Sequence, residues 1–104
     1  MPEDDMIELN VGGRIFATTR SLLLSHPDSM LAGLCRFPGH NHFIDRDPDP
    51  FVYVMSYLRS GQIFWERSAG IPLLWILQEA RYYQLPQLIK DLEQAIASEV
   101  HIVR

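Results

Sequence analysis

The sequence has little of what defines several large protein classes. Its 104 residues include a single cysteine, Cys35, which excludes an internal disulfide framework and leaves too few thiolates for a structural zinc site. It has no run of five or more lysines and arginines, and its net charge is -4, so we expect no nucleic-acid ligand. These absences favour a reducing compartment, and we expect a cytoplasmic location with the nucleus as a second compartment.

Long apolar runs are also absent. The longest, Leu22–Leu24 and Ile71–Leu77, fall far short of the roughly 20 residues that cross a bilayer. The first residues include Glu3, Asp4 and Asp5 where a secretion signal carries basic residues. We therefore expect no direct membrane insertion.

The residue patterns of catalysis and of cofactor binding are missing. Ser25–His26 stands outside any nucleophile elbow, and Gly12–Gly13 lacks the further glycines and the lysine of a phosphate loop. His40 and His42 supply too few ligands for a metal site. We predict that the chain is not an enzyme and holds no metal and no cofactor.

The amino-terminal segment has the two-residue period of a half-buried strand. Ile7, Leu9 and Val11 alternate with polar residues, and Gly12–Gly13 follows before a second alternating stretch. Two glycines supply the positive φ angles of a tight hairpin turn. The pattern predicts a β-hairpin over residues 6–18.

Helix signals follow the hairpin. Thr18 or Thr19 can cap a helix that runs through Leu24, and Asp28 can cap a second helix over 29–34. The remaining predicted elements are a strand over 42–44, a helix from Asp49–Pro50 to Gly61, an edge strand over 62–64 and helices from Pro72 and Pro86. No linker or repeat interrupts the chain, which predicts one α/β (α+β) domain of order β-β-α-α-β-α-β-α-α.

Five short motifs follow one another along the chain: LNVGGR at 9–14, PDSML at 27–31, FIDRD at 43–47, YLRSG at 57–61 and EARYY at 79–83. In this order they resemble the hallmarks of KCTD proteins and of potassium-channel assembly domains. The last two are more similar to KCTD proteins than to channels. The resemblance implies a BTB/POZ fold with a small mixed sheet and short helices, a domain at 6–98 and a carboxyl-terminal extension at 99–104.

The resemblance also implies a function. KCTD proteins assemble into rings, commonly of five subunits, whereas channel domains assemble into four. Many KCTD members recruit the cullin-three RING ubiquitin ligase scaffold, and others regulate receptors or transcription. We therefore expect a homo-oligomeric adaptor, a pentamer rather than a tetramer, that recruits cullin-three. The alternative is an assembly or auxiliary module of a membrane channel or receptor.

Candidate oligomer-interface residues follow mainly from this resemblance. Asp45, Arg46 and Asp47 alternate in charge directly before a predicted helix, where they can pair with Arg14 or Asn10 of a neighbouring subunit. The alternative is local capping of that helix by an aspartate. Both interpretations stay open at this stage.

A candidate cullin surface combines Leu34 and Phe37 with Tyr82, which match the ligase-contact face of KCTD proteins. Phe37 precedes Pro38–Gly39, so this apolar side chain lies in a predicted turn. It is either tucked under the loop or offered to a partner.

Two features depart from the family, and a third leaves two alternatives open. The stretch 35–41 is short where many members carry a longer polar loop, and Trp75 stands where the family often has a small residue. Trp65 lies in a polar stretch and either packs onto its own domain or serves as an interface contact.

Overall fold

The computed structural model describes the backbone of residues 5–103 and the side chains of residues 5–99. A three-stranded sheet packs against the helices, and the fold is the mixed α/β arrangement predicted above. The elements are β1 (Met6–Val11), β2 (Arg14–Thr19), α1 (Arg20–Leu24), α2 (Met30–Leu34), β3 (Asn41–Ile44), α3 (Pro48–Ser60), a 3-10 turn (Arg67–Ala69), α4 (Leu73–Tyr82) and α5 (Pro86–Val103).

The predicted hairpin is confirmed. β1 and β2 pair in antiparallel register, with Val11 opposite Arg14 across a two-residue turn. Gly12 and Gly13 have φ angles of 58° and 104°, which residues other than glycine adopt only with strain. The Asn10 side chain accepts a hydrogen bond of 2.8 Å from the Gly13 amide, which closes the turn.

β3 pairs with β1 in parallel and completes a sheet of order β2-β1-β3. Successive residues of a strand point to opposite faces. Ile7, Leu9 and Val11 of β1 are fully buried, so their face of the sheet meets the helices. The opposite face is the outer face of the sheet.

Two short helices follow the hairpin. Thr19 caps α1 by accepting a hydrogen bond from the Leu22 amide, one of the two predicted caps. The predicted cap of α2 is wrong, because Ser29 and not Asp28 takes that position. The Ser29 hydroxyl donates to the His26 carbonyl and accepts from the Ala32 amide, whereas a carboxylate could only accept.

The helix predicted from Asp49–Pro50 to Gly61 is present, but it begins earlier than expected. α3 starts at Pro48, after Asp47 rather than Asp49. Amides in the first turn of a helix have no partner within the helix, so both Pro48 and Pro50 fit there. Gly61 ends the helix at a φ of 78°, as its sequence position predicts.

The predicted edge strand over 62–64 is wrong. A strand needs a neighbour for its backbone hydrogen bonds, but the backbone of Gln62 bonds instead to the hydroxyl of Ser60 through both its amide and its carbonyl.

Of the two alternatives for Trp65, the structure shows packing onto its own domain. Trp65 packs against the core, and its Nε1 donates to the Ile71 carbonyl at 2.6 Å.

One core joins the sheet to the helices. α3 contributes Phe51 and Leu58, and α4 and α5 pack closely on each other and contribute Leu77 and Leu92. Each of these side chains is at most 4% exposed. These buried side chains lie on the apolar stripe of each helix, and the stripes face the interior.

The buried stripes generate a stability prediction. Leu58→Ala or Leu77→Ala should each lower the free energy of unfolding by about 2–5 kcal/mol, because each leaves a cavity in a packed core. Chemical denaturation measures the change, with the exposed Leu24→Ala as the control. Unchanged stability in both core variants would contradict this placement of the stripes.

Candidate interaction surfaces

The outer face of the sheet carries an exposed apolar row. The strand registers place Ile15 of β2 and Phe43 of β3 on either side of Asn10. Ile15 is 52% exposed and Phe43 is 65% exposed. We call Ile15, Asn10 and Phe43 the outer row. Exposed apolar side chains on one face of a sheet can form part of a contact surface.

The predicted interface residues cluster at one end of the sheet. Arg14 begins β2 and lies over the ring of Phe16, with 5.0 Å between its Cζ atom and the ring centroid. Asp45 and Asp47 are exposed in the loop between β3 and α3. Within residues 5–99, neither aspartate forms an ion pair. Their carboxylates therefore face solvent.

Arg46 lies between these aspartates, yet its side chain is bound inside the subunit. Its Nε donates to Glu79 Oε1 at 3.1 Å and its Nη2 donates to Glu79 Oε2. The Glu79 side chain is 3% exposed and that of Arg46 is 33% exposed. The hydrogen bonds to Glu79 raise the pKa of Arg46, and burial opposes this only in part. The pair joins the loop after β3 to α4.

Two tyrosines extend this pair. The Arg46 guanidinium lies 4.3 Å from the ring centroid of Tyr82, and the Tyr82 ring meets Tyr83 edge-on at 5.0 Å. Tyr83 is fully buried, and its hydroxyl has no hydrogen-bond partner within residues 5–99. Burial is the main cause that raises the pKa of Tyr83, and the negative charge of Glu79 adds to it.

The predicted cullin residues lie on α2, in the turn after it and at the end of α4. Leu34 and Phe37 line a groove beside α2 that Gln84 also lines. Phe37 is 63% exposed, so it is not tucked under its loop. Tyr82 does not line this groove. Met30, at the start of α2, donates its amide to the Tyr83 carbonyl at 2.9 Å, which joins the groove to the end of α4.

Trp75 borders the charged end of the molecule. It is half-buried on α4 and lines a polar recess together with Asp45, Arg46 and Gln78. A large indole thus fills space next to the Arg46 pair, where a small residue would leave the recess wider. Because Trp75 stands where the family often has a small residue, an indole ring forms part of the wall of this recess.

The described residues show neither a metal cluster nor a spanning helix. In that part of the chain, no three His, Cys, Asp or Glu side chains come together as ligands. His40 lies instead near Asp5, with 3.8 Å between Nε2 and Oδ2. No helix there is long and apolar enough to span a bilayer.

Sequence reasoning missed three residues of these surfaces. Ile15 was detectable, because the two-residue hairpin turn fixes the β1–β2 register and the period of two then assigns faces. Within β3 the same period puts Phe43 on the face opposite the buried Ile44. Glu79 was not detectable, since 33 positions separate it from Arg46. An acidic residue on the apolar side of a predicted helix was the one signal present in the sequence.

The described residues thus form a small mixed sheet with short helices, and the outer face of the sheet carries an exposed apolar row. A sequence model of the BTB/POZ domain family matches residues 7–92, and the chain belongs to this family. The chain is 44% identical over 102 residues to the BTB/POZ domain-containing protein KCTD9 of Mus musculus and of Homo sapiens. These relatives confirm the KCTD resemblance seen in the motifs.

A plant protein is also similar. The BTB/POZ domain-containing protein At5g41330 of Arabidopsis thaliana is 37% identical over 90 residues, which cover 86% of this chain. The two KCTD9 alignments cover 88% of this chain. The matches span 30% of the mouse protein, 26% of the human protein and 19% of the plant protein. The chain therefore corresponds to a minor part of each relative's length.

The Arg46 pair generates a prediction about the subunit itself. Arg46→Met should lower the free energy of unfolding by about 2–4 kcal/mol, because it leaves the Glu79 carboxylate buried without a partner. The double variant Arg46→Met/Glu79→Met should recover most of this loss. Denaturant titration measures both.

Arg81→Met is the matched control for Arg46→Met. Arg81 pairs with Glu93 at a similar distance of 3.1 Å, but both side chains are more than half exposed. Its loss should cost less than about 1 kcal/mol. Equal losses in the Arg46 and Arg81 variants would contradict a special role for the buried carboxylate.

Proposed function

We propose that the chain is a homo-oligomeric adaptor domain that recruits a cullin-three RING ubiquitin ligase scaffold in the cytoplasm. Membership of the BTB/POZ family supports a protein-interaction domain, and the KCTD relatives support the ring-forming type. The single observation that carries self-assembly is the outer row, with its exposed Ile15 and Phe43.

A second copy of the chain is the partner that best fits the outer row. A chain of this size buries a smaller fraction of its surface than a large protein does, and burial between copies adds apolar contact. A ring requires two different surfaces that complement each other. Arg14 supplies a positive group and Asp45 and Asp47 supply exposed negative groups. Such charges would set register and subunit number more than affinity.

The oligomeric state tests this proposal. At micromolar concentration the native mass should be about five times the 12.0 kDa of one chain. Phe43→Asp or Arg14→Glu should lower the mass without unfolding the subunit, because each side chain is exposed. Light scattering over a concentration series, with circular dichroism for folding, gives both readouts.

Phe64→Asp is the control for the outer row. Phe64 is 63% exposed and Phe43 is 65% exposed, but Phe64 lies in the loop after α3. Its substitution should leave the mass unchanged. A mass of one chain at every concentration would overturn self-assembly, and a loss of mass in the Phe64 variant alone would move the interface away from the outer row.

The proposed cullin surface combines the groove beside α2 with the end of α4. Leu34 and Phe37 offer apolar contact in the groove, and Tyr82 is 40% exposed at the end of α4, which the Met30–Tyr83 hydrogen bond joins to the groove. Interface anchors are enriched in aromatic residues such as tyrosine. The exposure of both aromatic rings supports a partner here.

A calorimetric titration with the cullin amino-terminal domain tests this surface. Phe37→Ala and Tyr82→Ala should each weaken binding by about 1–3 kcal/mol, as expected for interface anchors. Ring size should not change, since neither residue belongs to the outer row. Phe64→Ala is the control with a matched exposed ring.

The outcome separates the two functions considered. Binding at tens of micromolar cullin corresponds to a binding free energy of about 5–7 kcal/mol. If the unchanged domain gives no heat at that concentration, the ligase function is overturned. An assembly that persists without cullin binding would favour the assembly or auxiliary module of a channel or receptor. The two functions share the ring and differ in this one partner.

A further inference from the structure

The guanidinium of Arg46 has two contacts that differ in kind. One edge meets the Glu79 carboxylate through two hydrogen bonds, and the guanidinium also lies over the Tyr82 ring at 4.3 Å from its centroid. The planar fork of arginine permits both contacts at once. Glu79 is fixed because its side chain is almost fully buried on α4. Arg46 is therefore anchored, and it restrains Tyr82 in turn.

Tyr82 is held on a second side as well. Its ring packs edge-on against Tyr83, with an interplanar angle of 89°, and Tyr83 packs against Phe51 in the core at 4.9 Å. Tyr82 is nevertheless 40% exposed. A ring that is both exposed and restrained loses little conformational entropy when a partner binds it. This combination suits a preformed contact.

We propose that Arg46 is a positioning residue of the partner surface, which holds the Tyr82 ring in its binding orientation and does not itself contact the partner. The proposal rests on the proposed partner role of Tyr82. It assigns Arg46 an internal task, whereas its neighbours Asp45 and Asp47 remain exposed. The FIDRD segment then contributes to both proposed surfaces. Its exposed aspartates are available to the oligomer interface, and its arginine supports Tyr82 in the partner surface.

Arg46→Lys separates positioning from folding. Lysine keeps the positive charge opposite Glu79, so the buried carboxylate retains an ionic partner. It lacks the fork and the flat face that stacks on a ring. Arg81→Lys is the matched control, because Arg81 directly precedes Tyr82 and pairs with the exposed Glu93. Folding should stay intact in both variants.

A double-mutant cycle with the cullin amino-terminal domain tests the route of the effect. Arg46→Lys should weaken binding by about threefold to tenfold, and Arg81→Lys should not. In a Tyr82→Ala background, Arg46→Lys should have no further effect, because the ring through which it acts is gone. An equal loss in both backgrounds, or no loss in the single variant, would overturn the proposal.

Tyrosine ring spectra supply a readout that needs no partner. The sequence has four tyrosines, so selective carbon-13 labelling gives few ring signals, and Tyr82→Phe identifies that of Tyr82. Arg46→Lys should shift the Tyr82 signal, whereas Arg81→Lys should leave it in place. An unmoved signal would overturn the positioning role. A shifted signal together with no cullin binding in the unchanged domain would support that role and reject the ligase function alone.

Discussion

The carboxylate of Glu79 is the constraint on which the rest of the structure depends. It lies almost fully buried on α4, and an ionised group there is tolerated only with a partner that satisfies its oxygens. Arg46 meets both oxygens from the loop after β3. The end of the sheet is thereby bound to the helical layer through one side chain.

The hairpin turn depends on the same loop. Gly12 donates its amide to the Ile44 carbonyl at 2.9 Å, and a Cβ at Gly12 would collide with the Arg46 carbonyl. Glycine is needed there both for its φ of 58° and for this close approach. The turn, the loop and α4 are therefore one packed unit, and Asn10, Asp45 and Tyr82 keep fixed positions relative to one another.

Local signals predicted most of this fold and long-range pairing explains the rest. The two-residue period, Gly12–Gly13 and the proline-led helices were visible in the sequence because each acts over a few positions. The stretch 62–64 looked like a strand, but no strand among residues 5–103 pairs with it. The Arg46–Glu79 pair joins residues far apart in sequence, so no local pattern indicated that this arginine is bound within its own subunit. Whether Phe37 is exposed or buried also depends on tertiary packing, which no local sequence pattern encodes.

The phenylalanines carry the argument for more than one contact surface. Of five in the sequence, Phe37, Phe43 and Phe64 are each more than 60% exposed, although phenylalanine is among the residues most often fully buried. They lie after α2, on β3 and in the loop after α3, which are three separate places. The homo-oligomeric adaptor proposed above would hold its own copies and a partner at the same time, which requires at least two such surfaces. In that proposal Phe43 belongs to the first and Phe37 to the second, which leaves Phe64 as a third apolar position outside both.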